Sequence, residues 1–130
     1  DAFLLYLESA IIQQKAPVAG TPEFAHGMEA AKKAVRLQPG LGNAHNVLAN
    51  YYLQAGQTDA AVAECRAALK QNPKDQTALY RMIVALRKTD RKEEIPDLLK
   101  RLAAARQDAT RQEAENNRYK LVVTPPSSPQ

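Results

Sequence analysis

Between Gly42 and Asp75 the apolar residues recur at helical spacing in two blocks. Ala44, Leu48 and Tyr52 step by four along the first block and share a face. Ala61, Cys65, Ala68 and Leu69 mark a face along the second. Gly56 and the polar run Gln57 to Asp59 separate the blocks, and Pro73 closes the second. The pattern predicts two amphipathic helices joined by a tight turn. It returns thirty-four residues later, where Ala78, Met82, Leu86, Ile95, Leu99 and Leu102 stand for Ala44, Leu48, Tyr52, Ala61, Cys65 and Ala68. It also returns thirty-four residues earlier, where Gly27, Ala31, Ala34, Val35 and Pro39 stand for Ala61, Cys65, Ala68, Leu69 and Pro73. A fixed period of this length predicts stacked helical hairpins.

The two ends depart from the period. Leu4, Leu7 and Ile11 lie on one helical face, and an offset of forty-one sets them against His45, Leu48 and Tyr52. On that alignment residues 2–15 are the first helix of a first hairpin, with seven extra residues in its turn. The turn holds Pro17, Gly20 and Pro22 and cannot be helical throughout. Thr21 is placed to cap the next helix, with Pro22 at its first position. Near the other end no Gly or Pro occurs between 97 and 124, so one continuous helix is expected from about Lys92 to about Leu121, with Pro96 in its first turn. The competing reading is a break at Asp108 or Thr110, because Thr110 and Glu113 form a capping box.

The residues His45, Leu48-Ala49, Tyr52, Gly56, Ala61, Cys65, Ala68 and Pro73 resemble the tetratricopeptide repeat family, in a fragment of bacterial type. His45, Ala49 and Cys65 depart from the family's large residue, glycine and aromatic. The resemblance implies an all-α fold: a right-handed α–α superhelix of about three helical hairpins with a long C-terminal helix. The expected organisation is a repeat domain over 1–122. Within it repeat one spans 1–41 with a long turn at 15–22, repeat two 42–75, repeat three 76–106 and a terminal helical extension 107–122. A Pro/Ser-rich tail occupies 123–130, either without a packed core or as a docking polyproline segment. The family implies a non-catalytic binding scaffold.

Composition narrows the chemistry. The chain has 130 residues, 18 basic and 14 acidic, for a formal net charge of +4. The charges are interspersed, which favours a solvated surface over a nucleic-acid footprint. No apolar run approaches the ~18 residues of a membrane span. One Cys and two His cannot form an internal disulfide or a structural metal site, and no cofactor is expected. The compartment is left open. His45 is read as packing and His26 as surface. Cys65 lies on a core face, where burial would raise its pKa and leave it inert.

The family's first helices line the concave face. The expected peptide-binding groove is therefore Asn43, Asn46, Asn50 and Gln54 from one helix with Tyr80, Arg81, Val84 and Arg87 from the next. Amides donate and accept together, which suits an extended peptide backbone. Arg81 is expected to be exposed and to pair with an acid. The expected function is a protein-interaction scaffold binding a peptide or partner protein. The alternative is a structural cap of a longer array or an oligomerisation module. The apolar run Phe3 to Leu7 supports that alternative through self-association of the N-terminal helix.

Overall fold

The computed structural model describes residues 1–123, and the Pro/Ser-rich segment from 124 onward lies outside the described residues. Six helices follow in order: α1 Ala2–Gln14, α2 Pro22–Leu37, α3 Gly42–Gln54, α4 Thr58–Gln71, α5 Gln76–Arg87 and α6 Ile95–Val123. They form three consecutive helical hairpins, with no strand among the described residues.

Local chemistry sets the boundaries. The Thr21 hydroxyl accepts from the Phe24 amide and Pro22 opens α2, so the cap falls where the sequence placed it. Asp75 accepts from the Ala78 amide at the start of α5, and Asp1 does the same for α1 from the Leu4 amide. Gly56 ends α3 at φ 78, in the left-handed region that glycine enters without strain. Ala16 ends α1 in the same way at φ 50, which costs a residue with a Cβ more.

These boundaries correct the register of the N-terminal helix. α1 and α3 both have 13 residues, and their starts and left-handed stop residues align forty apart. The offset of forty-one was set on apolar residues alone and is wrong by one position, which turns a helix face by about 100°. Leu4, Leu7 and Ile11 are consequently exposed. The packed residues are Ala2 and Ser9, with Tyr6, Ala10 and Ile12 half-buried. Six residues, not seven, are inserted in the first turn.

The core has two parts. One is a small cluster of Phe24, Ala31, Val47, Leu48 and Tyr51 between the first and second hairpins. The other is a larger cluster in which α4, α5 and α6 pack around Leu79, Met82, Ile83 and Leu86. Tyr51, not Tyr52, is the fully buried tyrosine; Tyr52 is half-buried between the clusters. Room for Tyr51 comes from Gly27, where a Cβ would overlap the Tyr51 hydroxyl and lie 2.8 Å from Cζ. The repeat's alanine at that position would therefore be crowded by Tyr51 and by the Ile12 side chain, 2.9 Å away. The Tyr51 hydroxyl donates to the Ser9 carbonyl at 2.7 Å.

α6 runs unbroken through 107–110. Thr110 donates to the Arg106 carbonyl at 3.0 Å, so its hydroxyl serves the helix and is not spent on a cap. The helix begins at Ile95, three residues later than expected. Pro96 cannot donate to the carbonyl four residues back and so confines itself to the first turn. The intervening segment is held to α4 by ion pairs Arg66–Glu94 at 2.7 Å and Arg91–Asp59 at 2.6 Å. Beyond Asp108, which pairs with Lys74 at 3.0 Å, the residues through 120 are exposed.

Candidate functional site: the face of the first helices

α1 touches α3 and α3 touches α5, whereas α2, α4 and α6 do not touch one another among the described residues. The first helices therefore lie on the tighter side of the stack, and their outward residues share one face. On α3 that face carries Asn43 and Gln54, both exposed, and Asn50, half-buried. On α5 it carries Tyr80 at 54% exposure, a half-buried Val84 and an exposed Arg87.

Two of the eight expected residues are engaged within the fold. Asn46 is buried, and its amide nitrogen donates to Asp75 Oδ2 at 2.7 Å. Its Oδ1 is buried without a hydrogen-bond partner. Arg81 is not an exposed cation. Its Nη1 donates to the Asn46 carbonyl at 2.6 Å, it is half-buried, and burial lowers its pKa against the opposing effects of Cys65 and Asp75. Arg81 thus ties α5 to α3. The period hints at its partial burial, since Arg81 occupies the position of buried Val47, one residue on from the outward Tyr80, but it does not give the partner.

The corrected register adds two residues that the sequence reading missed. Tyr6 and Phe3 hold on α1 the places of Asn46 and Asn43 on α3. Phe3 is 51% exposed, and its ring centroid lies 5.7 Å from that of Tyr6. Matching the caps, Asp1 with Asp75, would have found them; matching apolar residues did not. The face therefore changes in character along the stack. It is aromatic on α1, amide on α3, and mixed tyrosine, valine and basic on α5, where Arg87 is followed by exposed Lys88.

His45 and Cys65 are held inside the fold. His45 is buried, with Nδ1 2.8 Å from Glu64 Oε1 and Nε2 2.6 Å from the Pro39 carbonyl. Both partners are acceptors, so only the doubly protonated ring donates to both. The Glu64 hydrogen bond raises its pKa, burial opposes this, and the Pro39 carbonyl adds to the rise. His45 therefore bridges α4 and the joint before α3, a polar role beyond the packing expected of it. Burial pushes the Cys65 thiol up to about 12, with Arg81 opposing. His26 is exposed and pairs with Glu8.

α6 borders two clefts, neither lined by any of the eight groove residues. One, against the α4–α5 joint, is polar and lined by Lys74, Gln76, Asp108 and Glu115 among others. The other, against α4, is lined by Leu69, Met82, Leu98 and charged neighbours. No cluster of three or more His, Cys, Asp or Glu side chains suited to a metal occurs among the described residues, and no helix there is long and apolar enough to cross a membrane.

No curated protein matches the chain. Residues 42–86 match the tetratricopeptide repeat family. The match covers the second hairpin and α5, the region where the thirty-four-residue period is most regular. Repeats of this family are typically non-catalytic scaffolds for protein–protein interaction. Over residues 42–86 the chain is thus similar to the tetratricopeptide repeat family, and the three consecutive helical hairpins of the described residues are consistent with such a helical repeat.

Proposed function

We propose that the face formed by α1, α3 and α5 binds an extended peptide or the extended segment of a partner protein. The observation that supports this is the run of exposed and half-buried side chains from Phe3 and Tyr6 through Asn43, Asn50 and Gln54 to Tyr80, Val84 and Arg87. None of these eight side chains makes a hydrogen bond or ion pair within the described residues. Amides on α3 can donate to and accept from a peptide backbone, while Tyr80 and Val84 give apolar contact. Arg81 is committed to the Asn46 carbonyl, so the acid-pairing role moves to Arg87 with Lys88 beside it. The ligand is therefore apolar or aromatic where it crosses α1 and acidic where it crosses α5. Selecting peptides from a displayed library against the full chain, then titrating a selected one, tests this. Arg87→Ala should weaken binding by about 1.5–3 kcal/mol, as for a charge-assisted hydrogen bond. A selected peptide that carries no acid, or binds Arg87→Ala as tightly as the parent, contradicts the proposal.

A second reading is a structural cap for a longer repeat array, or an oligomerisation module. It draws on the exposed apolar residues of α1, which are not part of the peptide-binding face apart from Phe3.

A further inference from the structure

Residues 124–130, TPPSSPQ, carry three prolines, three hydroxyls and no charge. Each proline lacks an N–H, so such a segment offers carbonyl acceptors in excess of donors. Proline's fixed φ also lowers the entropy an extended segment loses on binding. The surface that suits it has aromatic rings for the prolines and hydrogen-bond donors for the carbonyls. The α1–α3 half of the face described above has both. The exposed Phe3 ring and the half-buried Tyr6 ring stand 5.7 Å apart at 47°, a notch against which a pyrrolidine ring packs. The Tyr6 hydroxyl and the Asn43 and Asn50 side-chain amides are the donors beside it. Charge agrees. α3 has no Asp, Glu, Lys or Arg, and the one such residue in α1, Glu8, pairs with His26 of α2.

We propose that residues 124–130 of one copy of the chain dock across α1 and α3 of a second copy, with prolines against Phe3 and Tyr6 and carbonyls on the amides. The inference rests on the proposed binding face and names an occupant for its uncharged half. At about 3.1 Å per residue, seven residues span roughly 20 Å, enough to cross two helices packed about 8–10 Å apart. The same copy cannot supply the segment. α6 leaves the stack at Asp108, held 3.0 Å from Lys74, and its last fifteen residues carry Val123 about 22 Å beyond. Asp1 and Asp75 cap α1 and α5 at that same end, so Phe3 lies two helices away, a further ~16–20 Å sideways. Even Pro129, six residues past Val123, reaches no more than about 22 Å from it. The corner that the segment does reach in its own copy is lined by Lys74, Asp108, Arg111 and Glu115. An uncharged segment there would take water from those charges and offer them no partner.

The test mixes two chains. One is isotope-labelled and carries Pro125→Ser, Pro126→Ser and Pro129→Ser; the other is the unlabelled parent. Amide signals of Phe3, Tyr6, Asn43 and Asn50 in the labelled chain should move as parent is added and stay still when the unlabelled triple variant is added instead. Phe3→Ala in the labelled chain should weaken the titration about fivefold, the size of one aromatic contact. Arg87→Ala there should leave it unchanged. No shifts, shifts that the triple variant also induces, or shifts gathered at Lys74, Gln76 and Gln112 overturn the inference. Signals of Phe3 and Asn43 that already differ between dilute parent and dilute triple variant would place the segment on its own copy, and overturn the choice of a second. A library peptide that needs Arg87, with no shifts from the parent chain, removes this inference and leaves the proposed function standing. Shifts from the parent chain, with no acidic peptide selected, sustain the inference and remove the acidic ligand.

Discussion

The two joints of the stack are built differently. Between the second and third hairpins the contact is broad and apolar, with α4, α5 and α6 closing on Leu79, Met82, Ile83 and Leu86. Between the first and second it is a small cluster supplemented by specific polar contacts. Tyr51 reaches the Ser9 carbonyl, Gln13 donates to the Val47 carbonyl at 3.1 Å, and His45 spans Pro39 and Glu64. A broad apolar joint tolerates small errors of fit, because its stabilisation scales with the area buried. A joint made of a few directional contacts depends on each of them, and so on Gly27 leaving space for a single tyrosine.

The largest expected effect separates the joints by cavity cost. Leu79→Ala, at a fully buried position in the larger cluster, should lose stability at the upper end of the ~2–5 kcal/mol range, and Leu48→Ala in the smaller one at the lower end. Chemical denaturation of both variants checks the order. Equal losses would mean that the first joint is packed as tightly as the second.

Next in size is the contact that makes the first joint particular. Gly27→Ala should cost about 1–3 kcal/mol by overpacking against Tyr51. Tyr51→Phe removes the atom of closest overlap but also the bond to Ser9, and alone should cost about 1 kcal/mol. Combined, the two should cost less than their sum, because each relieves part of the other's penalty. Strict additivity in a double-mutant cycle would show that Gly27 is not there for Tyr51.

A smaller effect depends on pH. The folded state raises the pKa of His45 above the ~6.5 of an unfolded histidine. Its stabilisation is therefore complete below about pH 6.5 and is lost as pH rises through the raised folded value. Thermal midpoints should fall across that interval in the parent chain and fall less in His45→Gln, with exposed His26→Gln as the control. Tyr52, its pKa raised above 10 by burial, and Cys65 at about 12 titrate outside the interval. A parent curve parallel to that of His45→Gln would show that His45 does not hold the joint as a cation.

How much of this could be read from the chain follows the same division. The second hairpin and α5 repeat at a constant period with glycine and proline at fixed stations, so their helices and turn were legible, and so was most of the buried face apart from the exchange of Tyr51 for Tyr52. α1 was not. Its insertion breaks the period, and its most apolar face is the one left open, so alignment by hydrophobicity chose the wrong register. The cap Asp1 carried the correct one in chemistry that does not depend on burial. On the proposed binding face, exposed positions such as Asn43, Gln54, Tyr80 and Arg87 were legible from helical spacing together with the family resemblance. The engagement of Asn46 and Arg81 was not, because it depends on where Asp75 and the Asn46 carbonyl stand in space.

The central claim, that the face of the first helices is where a partner binds, is tested most directly by amide chemical-shift mapping of the full chain. The probe is a peptide selected from a displayed library. The account predicts that the shifted signals cluster on Tyr6, Asn43, Asn50, Gln54, Tyr80, Val84 and Arg87, and that Arg87→Ala weakens the titration. Shifts confined to the outward residues of α2 and α4, such as Lys33, Arg66 and Lys70, with Arg87→Ala binding as the parent does, would contradict it.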